Sequence, residues 1–214
     1  MNERLPLEER AAATAALTPK GRRTRERLLK GGRVVLEERG YFDATVGEIA
    51  SRSDIALGSF YRYFENKDDL FMVLLEELVE TLYNSTTGSW QAGDTATALR
   101  ESTRRYLETY YAERRLIAAL LQMAAAVPNC AALWRELRTR TYSRMEKYLR
   151  LALPNPPERS PLLTSALGTM VEHCAYHWFV EGDRLGDPGP DIDEAAEALA
   201  WIWYRAVYRT VNEA

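Results

Sequence analysis

The chain has 214 residues, 46% hydrophobic and 28% charged, a composition that excludes a disordered or fibrous protein. No apolar run approaches the roughly 20 residues of a membrane helix, the opening MNERLPLEERAAATAAL lacks the apolar core of a secretory signal, and two distant cysteines, Cys130 and Cys174, suit a reducing compartment, so a cytoplasmic protein without membrane partners is expected. The net charge of −3 hides an asymmetry: residues 1–67 hold 13 Lys and Arg against 10 Asp and Glu, the remainder 15 against 21.

Residues 1–18 read as an N-terminal extension. Thr18-Pro19 then opens a helix, with a capping side chain followed by proline at the first helical position. Its apolar stripe includes Leu28, Leu29, Val35 and Leu36, and Gly40 closes it. Gly31-Gly32 in its middle would cost about 1 kcal/mol per glycine against alanine, which points to close packing by a neighbouring helix. Lys20–Arg39 carries 8 basic residues to 3 acidic ones, the footprint of a segment that meets an anionic polymer or, equally, of a solvated helix face. Thr45-Val46-Gly47-Glu48 is a capping box opening a short helix to about Arg52. Ser53-Asp54-Ile55 turns the chain, and Ala56–Phe64 reads as a second short helix. Asn66 caps a long helix with Asp68 and Asp69 in its first turn, where acids favour the helix dipole.

A loop is expected over Ser85–Gly93, then helices at about 94–113, 114–126, 129–152, 160–181 and 191–212, separated by proline- and glycine-rich breaks. The expectation is an all-α chain of about nine helices: a basic three-helix bundle over 19–66 and a larger acidic unit over 67–214.

Two short helices joined by a tight turn and preceded by a basic helix form a helix-turn-helix, whose second short helix lies in the DNA major groove. Ile49, Ala50, Ile55, Phe60 and Phe64 have the spacing to pack a small core. Tyr61 and Tyr63 leave phenolic hydroxyls at the surface for phosphates. Residues Leu28-Leu29, Gly40-Tyr41, Thr45-Val46, Ile49-Ala50, Gly58-Ser59-Phe60-Tyr61-Arg62-Tyr63-Phe64, Lys67 and Leu70 resemble the N-terminal signature of the tetracycline-repressor-like (TetR) family of bacterial transcription regulators. The resemblance covers roughly residues 20–75. It implies that Thr45 and Tyr61 contact phosphates, that Lys67 joins the amides of a helix start at another phosphate, and that Leu57, Gly58, Ser59 and Tyr63 face base edges. Arg22, Arg23 and Arg25 are assigned to the DNA backbone or minor groove from their charge. The chain departs from the family's usual Ala-Gly-Val-Ser turn with Ser53-Asp54-Ile55-Ala56. Asp54 then stands where glycine takes a left-handed conformation, and Ala56 where a serine caps the recognition helix, with Ser53 or Asp54 as substitute caps.

For 67–214 the resemblance implies a homodimer joined by its last two helices, with Leu199, Ile202, Trp203, Ala206 and Thr210 on the interface; the apolar pattern alone fits packing within one chain equally well. It also implies a cavity for a small-molecule effector. Tyr106, Tyr110, Met123, Trp134, Thr141, Met145, Met170, Cys174 and Trp178, with Leu120 and Leu137, have inward spacing and suggest an apolar or aromatic ligand with few polar anchors. His173 and His177 share a helix face at i, i+4, a spacing that can chelate a transition metal. No third ligand stands nearby, and buried or interface histidines with hydrogen-bond partners are the reading adopted. No cofactor motif is present, and the expected protein is a dimeric, ligand-responsive repressor of a palindromic operator in double-stranded DNA, not an enzyme. The rivals are an all-α enzyme using Glu172, His173 and His177, and a helical adaptor for proteins.

Overall fold

The computed structural model describes residues 17–87, 95–152 and 160–209. Among them all regular structure is helical, eight helices in all when π-helical turns are counted with the helices they continue. The chain divides into two compact units, Met1–Leu74 and Leu75–Ala214. The extension expected over 1–18 lies, up to residue 16, outside the described residues.

In the N-terminal unit, α1 (Pro19–Asp43) starts with the Thr18 hydroxyl accepting from the Gly21 amide at 3.1 Å. Gly40 does not end the helix; it kinks it, with φ 75, and one further turn follows. A left-handed residue costs an L side chain about 1–2 kcal/mol, and glycine escapes that penalty. The short α2 (Val46–Arg52) and α3 (Leu57–Phe60) pack in sequence, α2 on α1 and α3 on α2. The helix expected over Ala56–Phe64 is thus one regular turn, extended by turn bonds from the Tyr63 and Phe64 amides to the Phe60 carbonyl at 2.9 and 3.1 Å. Leu28, Leu36, Ile49, Ala50, Phe60, Phe64 and Leu70 are buried together, whereas Ile55 is only half-buried. Helix α4 (Lys67–Ser85) begins in this unit and ends in the next, so the helix expected from Asn66 takes in Ser85, the first residue of the predicted loop; residues 88–93 of that loop lie outside the described part.

The two central glycines of α1 sit where other helices come closest. A Cβ on Gly32 would lie 2.5 Å from Leu70 Cδ2, and one on Gly31 would overlap Ser53 Oγ and stand 3.1 Å from the Ser53 amide nitrogen. Ser53 cannot easily yield, since its buried hydroxyl donates to the Ile49 carbonyl at 2.7 Å.

In the C-terminal unit, α5 (Thr95–Ala126) is one helix where two were expected. Nothing between 95 and 126 breaks it: the segment has neither glycine nor proline, and the charged run Glu113-Arg114-Arg115 is simply a partly solvated part of its surface. Against α5 pack α6 (Pro128–Ala152) and α8 (Ile192–Tyr204), the latter continuing through π-helical turns at Arg205–Arg209. Helix α7 (Ser160–Ala175) packs on α6 and passes without a break through π-helical turns at Tyr176–Glu181 to a last turn, Gly182–Leu185.

Gly31→Ala is expected to lower stability by about 1–3 kcal/mol, because overpacking against Ser53 exceeds the gain of about 1 kcal/mol in helix propensity. Gly58→Ala, where a Cβ would meet nothing within 4 Å, should leave stability unchanged or raise it by up to about 1 kcal/mol. Urea unfolding of the two variants beside the parent checks the contrast.

Candidate functional site

The helix-turn-helix is assembled around α2. Thr45 caps that helix: its hydroxyl accepts from the Glu48 amide at 3.2 Å, while Glu48 Oε2 accepts from the Thr45 amide at 3.2 Å and its hydroxyl at 2.9 Å. At the other end, Asp54 takes the left-handed conformation, φ 52, that the turn demands. Arg27 of α1 reaches across to this turn. Its Nη2 donates to the Ser53 carbonyl at 2.7 Å, the Asp54 carbonyl at 3.0 Å and Asp54 Oδ2 at 2.9 Å. Those bonds satisfy carbonyls that the end of α2 leaves open.

Neither substitute cap of α3 is used. Ser53 Oγ is turned inward to Ile49, the Asp54 carboxylate is turned to Arg27, and Ala56 at the cap position makes no side-chain bond. The helix is instead held from beneath by Phe60, fully buried, and Phe64, their rings 5.7 Å apart. This leaves Leu57 50% and Tyr61 57% exposed, with open space over Gly58. Ser59 and Tyr63 are half-buried. Arg22 and Arg23 are exposed at the start of α1, the former also donating to the Leu17 carbonyl at 2.8 Å, and Arg25 lays its guanidinium over Phe64 at 5.1 Å.

Lys67 behaves differently from its expected role. Its ammonium donates to the carbonyls of Tyr41, Phe42 and Ala44 at 2.8, 3.3 and 3.0 Å, which uses all three N–H bonds. It closes the kinked end of α1 and has no donor left for a phosphate in this conformation. Phe42, 64% exposed beside it, is an aromatic on this surface that the pattern did not single out.

The C-terminal unit holds a cavity of about 70 Å³ between α4, α5, α6, α7 and α8. Of the residues assigned to a ligand, Tyr106, Trp134, Leu137, Thr141 and Met145 line it. Tyr110, Leu120 and Met123 are instead buried in the packing of α5, and Met170, Cys174 and Trp178 are half-buried outside the lining. The lining residues that the pattern missed are chiefly polar: Ser102, Thr103, Arg138, Tyr142 and Glu172. Arg138 grips Glu172 through Nη2 to Oε1 at 2.6 Å and Nε to Oε2 at 2.9 Å, and Trp134 Nε1 donates to the same carboxylate at 3.2 Å. The hydrogen bonds of Arg138 to Glu172 in turn hold the charge on Arg138 more firmly. Burial, helped by the Glu172 charge, pushes the Tyr106 phenol well above its ordinary range, and burial pushes the Cys130 thiol up to about 11.

The expected interface face of α8 needs correction. Leu199 and Trp203 are buried within the chain, and Trp203 lines the cavity, because α8 turns that side to the packed interior. Ile202 is 38% exposed, Ala206 half-buried, and Thr210 lies outside the described residues. Trp201 at 58% and Tyr204 on α8, with Leu162 and Leu185 on α7 and its continuation, are further exposed apolar side chains of these helices. His173 is exposed and stacks on Tyr176, and His177 Nδ1 lies 2.7 Å from Glu181 Oε2. No group of three metal-ligating side chains occurs among the described residues.

Residues 28–74 match the family of bacterial regulatory proteins described as the tetR family. An uncharacterized HTH-type transcriptional regulator, YdgC of Bacillus subtilis (strain 168), is 38% identical over 58 residues, which are 27% of this chain and 30% of that protein. The HTH-type transcriptional regulator HbdR of Aromatoleum sp. (strain CIB) is 28% identical over 57 residues, or 27% and 25% of the two chains. The matched part thus spans under a third of either relative. In three dimensions the chain resembles a transcriptional regulator of Rhodococcus sp. Rha1, with TM-score 0.71, 24% identity and coverage of 85% and 96%. It also resembles a TetR-like regulator of Rhodococcus sp. RHA1, with TM-score 0.68, 19% identity and coverage of 95% and 98%.

Ala56→Ser should supply the missing cap of α3 and raise stability by about 1 kcal/mol. Urea unfolding measures it, and an unchanged midpoint would mean that the turn cannot place a serine hydroxyl at the α3 amides.

Proposed function

We propose that this chain, a member of the tetR family of bacterial regulatory proteins, is a DNA-binding transcriptional repressor that acts as a homodimer and is released by a small effector. The observation that carries the reading is the division of labour on α3. Phe60 and Phe64 spend their rings on the core, so Leu57, Gly58 and Tyr61 stand outward on one short, unobstructed surface. Gly58 lets a base edge approach closely. Leu57 offers apolar contact, for example to a thymine methyl, and the Tyr61 hydroxyl can donate to a phosphate. Arg22 and Arg23 add positive charge near the backbone. Thr45 fits a phosphate role by rotating its hydroxyl proton away from Glu48, the amide bond that caps α2 being unaffected.

Two such heads reading half-sites one helical turn apart require a dimer. The exposed Trp201, Ile202 and Tyr204 of α8 and Leu162 of α7 supply apolar surface for it. An effector in the cavity would act by binding more tightly to a conformation whose heads are wrongly spaced for DNA. An enzyme built on His173 and His177 finds no support in their setting, since both are solvent-exposed and lie outside the cavity.

The test uses duplex from upstream of the chain's own gene. If each dimer neutralises about 6–10 phosphates, affinity should fall by about 10³- to 10⁵-fold between 50 and 200 mM salt. Tyr61→Phe should weaken binding to all sequences alike, and Leu57→Ala should relax preference at one base pair by about 1 kcal/mol, the worth of a lost apolar contact. Equal binding to that duplex and a random one sinks the reading. Separately, Trp201→Glu is expected to shift the chain from dimer to monomer in sedimentation velocity without unfolding it; a persisting dimer would place the interface elsewhere.

A further inference from the structure

The polar groups around the cavity define its ligand more narrowly than its apolar walls do, and this inference rests on the effector-responsive reading above. Among the described residues, Arg138 and Glu172 are the two charged residues in the lining, and they neutralise each other. Glu172 also accepts from Trp134 Nε1 at 3.2 Å and from the Tyr142 hydroxyl at 3.5 Å, so its carboxylate is fully occupied. A cationic ligand would have to compete with Arg138 for that carboxylate, and an anionic one would be brought beside it. Arg144 stands outside the lining, with its Nη1 buried and without a partner among the described residues. Its guanidinium lies 3.7 Å from the Tyr83 ring centroid and donates to the Tyr83 carbonyl at 2.6 Å and to Thr86 Oγ1.

The uncharged groups are in the opposite condition. Thr103, Tyr106 and Thr141 all line the cavity, and none of their hydroxyls has a hydrogen-bond partner among the described residues. This is not the habit of the fold's helical threonines. Thr109, Thr139 and Thr164 each donate to the carbonyl four residues back, at 2.8, 3.0 and 2.8 Å. The oxygens of Thr103, Tyr106 and Thr141 are not sealed from solvent, since Arg144 Nη1 is the buried side-chain polar atom left without a partner among the described residues, and a ligand in the cavity can take the place of water on them. Burial and the Glu172 charge keep the proton on Tyr106, which makes that phenol a donor. Trp134, Tyr142 and Trp203 supply flat walls. The volume of about 70 Å³ equals roughly five positions of the 10–15 Å³ that one water needs, enough for a single substituted ring.

We infer that the cavity takes a small uncharged ring compound bearing oxygen, such as an aromatic ketone or alcohol, with the Tyr106 hydroxyl donating to its oxygen and Thr103 and Thr141 completing the polar contacts. The Arg138–Glu172 pair then works as a charge filter that both signs of ligand fail to pass.

The experiment titrates the full-length protein by calorimetry with four probes of like shape: acetophenone, ethylbenzene, benzoate and benzylammonium. Acetophenone should bind at least tenfold more tightly than either ion and more tightly than ethylbenzene. Tyr106→Phe should weaken acetophenone by about fivefold, the worth of one hydrogen bond, and leave ethylbenzene unchanged. Thr141→Val, on a different helix, should act in the same direction and guards against a folding defect in the first variant. Benzoate or benzylammonium binding as tightly as acetophenone overturns the inference, and so does loss of ketone and hydrocarbon affinity in equal measure, or saturation by none of the four. The same samples are tested for release of promoter duplex by acetophenone. Selective binding without release would leave the ligand class standing and sink the regulatory reading, whereas DNA binding with no probe bound would do the reverse.

Discussion

The N-terminal unit depends on how closely α1 approaches the turn between α2 and α3. Gly31 lets the Ser53 hydroxyl and backbone sit against the helix, and Arg27, one turn earlier on α1, holds the carbonyls of Ser53 and Asp54. The two devices differ in kind. The Arg27–Asp54 ion pair is exposed, with Asp54 almost wholly in solvent, and such pairs contribute about 0–1 kcal/mol. The packing of Ser53 against Gly31 is buried and leaves no slack. Stability therefore rests on the glycine contact, while Arg27 chiefly fixes the direction in which the chain leaves α2. That direction sets where Leu57, Gly58 and Tyr61 point.

This arrangement explains how a recognition helix of four residues holds its place without a capping side chain. A lost cap is worth about 1 kcal/mol, and a non-glycine residue at positive φ costs about as much. Two buried aromatic rings, Phe60 and Phe64, each contribute more than either penalty by removal from water, about 1.5–3 kcal/mol for a side chain of this size. The four aromatics on this short stretch are thus unequal. Two anchor the segment, Tyr61 is given to the surface, and Tyr63 is shared between the two.

What the sequence made legible was local. The Thr45–Glu48 capping box, the close approach at Gly31-Gly32 and the burial of Phe60 and Phe64 all follow from residue types within a few positions of one another, whereas the left-handed Asp54 is implied by the family resemblance. Proline and glycine breaks also located most helix ends, and where no such residue stands, at 113–114, the expected break does not exist. The misreadings are of long range. Nothing near Lys67 in sequence shows that its ammonium meets carbonyls 23 to 26 residues earlier, and nothing near Arg138 shows that it meets Glu172, 34 residues later. For α8, an apolar stripe at helical spacing is the same whether it packs inside one chain or between two. Leu199 and Trp203 show which side the fold chose only once α5 is in place.

The two units treat their polar groups in opposite ways, and that contrast bears on what each is for. In the N-terminal unit the groups that hold the motif are committed internally: Thr45 to Glu48, Arg27 to the turn, Lys67 to the end of α1. Commitment of this kind keeps a surface in one shape, which suits a partner as stiff as a DNA duplex, since side chains already in place lose little freedom on binding. Among the described residues of the C-terminal unit, three hydroxyls around a small space have no protein partner, and the two charged residues of its lining pair with each other. A ligand in that space can replace solvent on these hydroxyls, and because it does so only in conformations that keep the cavity, its binding would bias the unit toward them. Under the proposed function, an effector would draw on the hydroxyls left open in one unit, and DNA on the internally committed groups of the other.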